Sequence, residues 1–377
     1  MKTPVADLLS GDVLRSLAAF SGPGPVVTCY LDVDGRRYVR PHDYEVELER
    51  MLRPVREREH RAGHHNACKD LKRVEDHVKG GFDRSHTRGL ALFVSSLGDL
   101  WEPLHLPVPV VNRVVVNQHP QVRQLEAVIQ RAERFAVLLA DRQRARMFVF
   151  QLGQLVDWSE RFDRLPRHED DGGDMAKDQM RDHVDSATRR HLLHTATAAF
   201  ELFQESGFDQ LLVGAPADIA GPLERTLHPY LRDRIAARLN VPVGAREDEV
   251  REAAVVAEEE VLRRHEAADV ERLRSAAARG DGAVVGLDAV LAALVERRVD
   301  TLLVSDGFET PGWRCQSCDF LAIRGPSCPL CSKRMEQAED VVEEAVQEAL
   351  TQSCHVEVCR GNADLDVLGR IGALLRF

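Results

Sequence analysis

The stretch "CQSCDFLAIRGPSCPLC", residues 315–331, constrains this chain more than any other. Cys315, Cys318, Cys328 and Cys331 form a C-x2-C-x9-C-x2-C pattern. Each Cys-x-x-Cys pair can present two thiolates to one tetrahedral ion at ~2.3 Å, and the residues between the pairs are enough to turn out and back. Four thiolates select Zn²⁺ over hard cations. Disulfides or four unrelated buried thiols are the alternatives, and the paired spacing counts against both. Four protein ligands leave no position for water, so the expected zinc is structural and not catalytic. Cys29, Cys68, Cys354 and Cys359 fall in strand or helix patterns and are expected in cores.

The remainder of the chain is ordinary globular material. Its 377 residues suffice for two or three domains. Aromatic residues are only 5 %, so cores must be built from Val, Leu, Ile and Ala. No apolar run approaches the length that spans a bilayer. "MKTPVADLLSGDVLRSL" carries Asp7 and Asp12 and lacks the apolar centre of a signal peptide. These features point to a cytoplasmic protein with reduced thiols, and to no membrane partner.

The net charge of −11 argues against nonspecific nucleic-acid binding by the whole surface. The charge is uneven, however. Residues 50–88 hold eleven Lys and Arg against six Asp and Glu, with five His. A local basic face of this kind, including Arg53, Arg56, Lys69, Lys72 and Arg73, could contact RNA. A solvated amphipathic helix is the competing reading.

Periodicity divides the chain into three small mixed α/β domains. The first, 1–128, has strands at 25–33, 89–96 and 111–117 and helices near 43–61 and 67–79. "PLHLPVPV" is expected to be extended, since each Pro biases its predecessor away from helix. The second, 129–246, has three short strands in 135–162, a polar loop, a long helix from about 176 to 205, a strand at 208–216, and a helix through "ADIAGPLERTLHPYLRDRIAARL". The third, 247–377, begins with a long charged connecting helix ended by Gly280 and Gly282. "VVGLDAVLAALVERRVDTLLVSD" follows as helix then strand, and "EDVVEEAVQEALTQ" as helix. "CHVEVCR" and "IGALLRF" are strands, and the cysteine segment, 313–335, is an insertion. Fold class is therefore α/β, with a four-cysteine zinc-knuckle excursion in the third domain.

In that third domain, "VDTLLVSDG", the cysteine insertion, an acidic helix and "HVEVCRGNADLDVLGRIGALLRF" occur in order. This arrangement resembles the C-terminal domain of the archaeal and eukaryotic class-1 release factors and of Pelota. That family ends in a strand similar to Gly-Ile-x-Ala-x-Leu-Arg-Tyr, which Ile371 to Phe377 resembles, with Arg376 and a terminal aromatic. Its archaeal members often carry four cysteine ligands at this place, and it has bacterial relatives. The resemblance continues in domain order through "GLALFVSS" and a Gly-Gly loop before a long helix. It implies a ribosome-binding protein contacting ribosomal RNA, whose third domain meets a translational GTPase.

Two departures from the family pattern bear on activity. The Asn-Ile-Lys-Ser-type loop that reads stop codons is missing; "HHNACKDL" shares only Asn66 and Lys69, at the wrong spacing. The Gly-Gly-Gln loop, which in the family enters the peptidyl-transferase centre, is matched by "EDDGGDMAK". Gly172 and Gly173 are kept, but Asp174 stands where Gln belongs. A carboxylate can act as a general base. Yet Glu169, Asp170, Asp171 and Asp174 gather four negative charges, which oppose an RNA-lined cavity and a developing oxyanion. A plain acidic loop is the bland alternative. His191 and His194, with Asp182 and His183 nearby, are expected as surface residues of an amphipathic helix, because no H-E-x-x-H pattern occurs. No P-loop or Rossmann fingerprint is present.

The sequence thus implies a release-factor-like protein that occupies the aminoacyl site of stalled or idle ribosomes, in hibernation or rescue, without reading stop codons. The rivals are a peptidyl-tRNA hydrolase acting in rescue and an off-ribosome RNA-binding adaptor.

Overall fold

The computed structural model describes the backbone of residues 11–162 and 174–376. After helix α1 (Gly11–Ala18) comes strand β1 (Val26–Asp32), buried along its whole length. Helices α2 (Pro41–Arg61) and α3 (His65–Lys79) follow. Pro41 sits in the first turn of α2, where a missing N–H costs nothing. Strands β2 (Gly89–Ser95), β3 (Leu100–Leu106) and β4 (Arg113–Asn117) complete an antiparallel sheet of order β3-β2-β1-β4. The "PLHLPVPV" segment, expected to be extended, contributes to β3. Val27, Cys29 and Leu31 form one face of β1. Leu48 and Leu52 of α2, and Leu71, Val74 and Val78 of α3, recur at three- and four-residue spacing and close over that face. A short helix, α4 (Arg123–Gln130), ends this region.

The central sheet contains β5 (Arg134–Ala140), β6 (Arg144–Gln151), β7 (Gln154–Phe162), β8 (Gln210–Gly214) and β9 (Ile235–Arg238), in order β7-β6-β5-β8-β9. The β5–β6–β7 pairings are antiparallel, and β5–β8–β9 are parallel. Leu152 and Gly153, at φ 50° and 72°, make the tight β6–β7 turn; two central residues with positive φ match the strands' right-handed twist. Helix α5 (Asp174–Ser206) leads into β8, and α6 (Ala217–Thr226) and the single turn α7 (Pro229–Arg232) lead into β9. The period of two along β5 separates two cores. Ala136, Leu138 and Ala140 pack with Leu192, Ala196 and Ala199 of α5. Phe135, Val137 and Leu139 pack with Val250, Ala254 and Val261 of the long helix α8 (Glu247–Arg279).

The second half of α8 serves another core, through Val270, Leu273 and Ala276. There, β10 (Ala283–Val285), helix α9 (Leu287–Val295) and β11 (Val299–Ser305) precede the cysteine insertion. The insertion holds β12 (Gly312–Arg314), β13 (Leu321–Ala322) and β14 (Glu336–Ala338), a three-stranded sheet of its own. Helix α10 (Val341–Thr351), β15 (His355–Cys359), α11 (Ala363–Val367) and β16 (Ile371–Leu375) complete the chain, with sheet order β10-β16-β11-β15. The terminal motif strand is thus central and buried, paired on both sides. The α/β class and the four-cysteine excursion agree with the sequence expectation.

Two local expectations do not hold. The helix expected through "ADIAGPLERTLHPYLRDRIAARL" ends at Thr226. Leu227 and His228 are extended because Pro229 disfavours helix in its predecessor, and Ile235–Arg238 is then a strand. Val284 and Val285, read as the start of a helix, belong instead to β10, paired with β16.

The chain separates into two compact units: Ala132–His265, and the preceding region up to Arg131 together with the region from Glu266 onward. Within the second unit, a buried polar network joins the first and last thirds of the sequence. Arg123, 5 % exposed, lies 3.5 Å from Asp340 and 3.7 Å from Glu343. Its backbone N–H donates to Glu343 Oε1 at 3.0 Å, and its guanidinium donates to the Phe308 carbonyl. Asn117 donates to Glu344 at 2.8 Å, and Gln347 donates to the Ala18 carbonyl at 2.9 Å. Gln130 bridges to β15 in both senses, donating to the Val356 carbonyl and accepting from Val358 N–H.

Glu126, beside Gln130, is almost fully buried, and burial pushes its carboxyl up to about 7. An acid whose pKa is raised on folding keeps its proton longer in the folded state. Stability therefore falls as pH rises from the unfolded value near 4.5 through 7. Glu126→Gln should remove this term and make the protein less sensitive to pH, by about 3 kcal/mol between pH 5 and 8. Urea unfolding of both proteins at the two pH values measures it. Equal losses in the two would contradict the assignment.

Candidate metal centre and central loop

The insertion has few apolar side chains to hold it together. Its buried cluster is Cys315, Cys328 and Met335, with Trp313, Phe320, Ala322 and Cys331 packed against them, and Leu321 is buried as well. A core this small needs a further constraint. The two cysteine pairs fold alike. Asp319 N–H donates to the Cys315 carbonyl and Ser332 N–H to the Cys328 carbonyl, at 2.8 and 2.9 Å. Cys315 N–H reaches back to Phe320 O, and Cys328 N–H to Lys333 O, each at 2.9 Å. The residue after each second cysteine, Asp319 or Ser332, has φ of 55° or 59°. Each pair is thus a tight knuckle that turns both sulfurs toward the same point.

The four Sγ atoms lie within 4.8 Å of one another. Cys315–Cys331 is 3.4 Å, Cys318–Cys328 is 3.5 Å and Cys318–Cys331 is 3.6 Å. Bonds of ~2.3 Å to a tetrahedral ion require sulfur–sulfur edges of about 3.8 Å, so the constellation fits one ion with small adjustments. The thiols divide by charge. Backbone N–H groups, that of Ser317 first, bring Cys315 down to about 7. Burial opposes ionisation of Cys328, but the N–H groups of Cys331 and Leu330 outweigh it and lower this thiol too. The Phe320 N–H favours the Cys318 thiolate, yet desolvation and the neighbouring sulfurs push that thiol up to about 12. Cys331 is raised likewise, by Cys315 and desolvation against the Lys333 N–H. Converging sulfurs without a cation between them cannot all ionise; a divalent ion would let them.

The knuckles are fastened to the third region at a few points. Arg314, on β12, bonds Asp319 at 3.0 Å and the buried Glu344 of α10. Gly312 and Gly325 permit contacts no side chain would allow. A Cβ on Gly312 would lie 2.5 Å from Val341 Cβ, and one on Gly325 would lie 2.2 Å from the Trp313 ring.

The other cysteines are placed as expected for core residues in three cases, Cys29, Cys354 and Cys359, which are buried; Cys68 is partly buried. Gly172 and Gly173 lie outside the described residues. Asp174 begins α5, and its side chain is likewise outside them, as are those of Asp182 and His183. His194 is exposed, but His191 is fully buried, against the expectation of a surface residue. It faces the sheet because it falls in the same helical row as Thr195, also buried.

The five basic candidates lie on α2 and α3. Three are already matched with acids: Arg53 with Glu57 at 3.4 Å, Arg56 with Glu75 at 2.7 Å and Lys72 with Asp76 at 3.1 Å. Arg73 lies over the Trp101 ring, 4.2 Å from its centroid, and Lys69 is exposed. Among the described residues, neither of these two is in an ion pair. No helix among the described residues is long and apolar enough to cross a membrane.

Residues 120–259 match the model of Bacterial archaeo-eukaryotic release factor family 10, and the Gly-Gly-Asp triplet lies inside the matched segment. Among solved structures, the chain is similar to the archaeal translation termination factor aRF1, with 17 % identity over 99 % of this chain and 98 % of that one, at a TM-score of 0.27. It is also similar to Pelota of Archaeoglobus fulgidus, with 16 % identity over 98 % and 92 % of the two chains and a TM-score of 0.37. Dom34 of S. cerevisiae, described as a translation termination-like factor interacting with Hbs1, shares 9 % identity over 78 % and 87 %, with a TM-score of 0.42. No curated protein sequence matches the chain.

Proposed function

We propose that this protein binds ribosomes as a non-decoding, non-hydrolysing relative of release factors, occupying the aminoacyl site of stalled or idle particles. The observation that carries the reading is the family match over 120–259 with Asp174 in the place of the glutamine. A neutral amide can sit beside an ester carbonyl and a water without opposing charge on the carbonyl oxygen. A carboxylate opposes it, and Glu169, Asp170 and Asp171 add to the field. Loss of one oxyanion donor costs roughly 10²–10³ in rate in other enzymes; an added repulsion costs at least as much. The expected outcome is ribosome binding with peptide release at the spontaneous rate. Single-turnover release above that rate, lost in Gly173→Ala, would instead establish a rescue hydrolase.

In this reading the knuckle cysteines hold one structural Zn²⁺, and the third region meets a translational GTPase. The basic face at 50–88 contributes to ribosomal RNA contact. Lys69 and Arg73 are its best-placed cations, since acids on the same helices do not neutralise them. Binding should weaken steeply with salt through counterion release. Lys69→Glu/Arg73→Glu should lower co-sedimentation with bacterial ribosomes and flatten the salt dependence. Unchanged binding and slope would place the RNA contact elsewhere.

A further inference from the structure

The central unit carries a second aromatic and basic surface, which the family match does not explain. Phe200 of α5 stacks on the imidazole of His228, with centroids 4.1 Å apart and planes 24° apart. Tyr230 meets the same imidazole edge-on at 4.9 Å. His228 and Tyr230 are both exposed, Tyr230 to 59 %. An exposed tyrosine ring held by a second ring offers a rigid face for a partner. The Pro229 turn, which breaks the helix expected here, is what lifts both rings to the surface.

Arginines lie close to the rings in sequence. Arg225, Arg232 and Arg234 fall within ten residues, against Asp233 alone. Among the described residues none of the three is in an ion pair, unlike Arg53, Arg56 and Lys72 of the first region. Elsewhere in the central unit, Arg238 is neutralised by Glu224 at 2.8 Å and Arg142 by Asp218 at 2.9 Å. Arg234 is fixed in place, donating to the Tyr230 carbonyl at 2.9 Å and lying over the Phe203 ring at 4.9 Å. An exposed aromatic ring such as Tyr230, backed by the His228–Phe200 stack and close in sequence to uncompensated guanidinium groups, is what unpaired nucleotides bind: a base stacks on the ring and phosphates meet the cations.

We infer that His228 and Tyr230, flanked by Arg225 and Arg232, form a contact for unpaired RNA nucleotides on the central unit. This rests on the proposal that the protein works on the ribosome, and it adds where and how an exposed ribosomal RNA base is gripped. A protein partner is the weaker fit, because the arginines here outnumber the acids and carry no ion pair among the described residues.

Fluorescence anisotropy of the full chain with a labelled single-stranded RNA 12-mer, and with the same strand in a duplex, tests the inference. The wild type should bind the single strand more tightly than the duplex. Tyr230→Ala should weaken binding about 5- to 100-fold, the range for loss of one stacked base, while Tyr230→Phe keeps it. Arg225→Glu/Arg232→Glu should reduce the salt slope by more than one unit, at about 0.7 per phosphate contact on single strands. Circular dichroism melting of each variant, unchanged from wild type, shows that the fold is kept. Equal affinity for duplex, or full affinity in Tyr230→Ala, would overturn the inference. So would loss of ribosome binding with oligonucleotide binding intact, which would mean a protein partner. A wild type that binds the single strand but not ribosomes would sink the ribosomal reading and leave this contact standing.

Discussion

Replacing Arg123 with Met should destabilise the second compact unit by about 3–5 kcal/mol, the cost typical of stranding buried charge. The guanidinium is the cation shared by Asp340 and Glu343, both almost completely buried. Burial already pushes both carboxyls up, against the attraction of Arg123. Without the arginine they must either ionise unpaired or take up protons. The penalty should therefore be larger at pH 8 than at pH 5, where protonation relieves it. Because the cost comes from stranded charge, Arg123→Met/Glu343→Leu should recover part of the loss. Urea denaturation followed by circular dichroism measures all of this. A loss below about 1 kcal/mol, in the range of surface ion pairs, would mean that the network is not what joins the first and third regions.

The second large effect concerns the knuckles. Purified protein should carry about one Zn²⁺ per chain, the stoichiometry of a four-cysteine site. Cys328→Ser should bring the content near zero and unfold the segment between β12 and β14, whose apolar residues are too few to hold it alone. Trp313, packed on Gly325 within that segment, should become solvent-exposed and its emission should shift to the red. The central sheet, with its own cores, should be unaffected. Cobalt in place of zinc should show the absorption of a tetrahedral thiolate site. Zinc content unchanged in Cys328→Ser would show that the four sulfurs do not share an ion.

Much of this could be read in the sequence because it is written locally. Cys-x-x-Cys spacing specifies a knuckle wherever it occurs, and the period of two in "FAVLLA" assigns alternate residues of β5 to opposite cores. The helical rows of α2 and α3 were visible for the same reason. What was hidden depends on partners far along the chain. Arg123 and Glu343 are 220 residues apart, and nothing near either announces the other. The burial of His191 is set by which row of α5 meets the sheet. The Pro229 turn carried a local signal, since the residue before proline avoids helix. The apolar residues on both sides of it masked that signal by continuing a helical pattern. The basic face of α2 and α3 was legible as composition, but its neutralisation by Glu57, Glu75 and Asp76 is a matter of side-chain geometry.

The proposed function is occupation of the aminoacyl site of stalled or idle ribosomes with no ester cleaved. A cryo-EM map of the protein on bacterial ribosomes carrying peptidyl-tRNA tests it most directly. The account predicts density for the central unit in the aminoacyl site, with intact peptidyl-tRNA beside it. Binding at another ribosomal surface with the aminoacyl site empty, or a deacylated tRNA beside the protein, would contradict it.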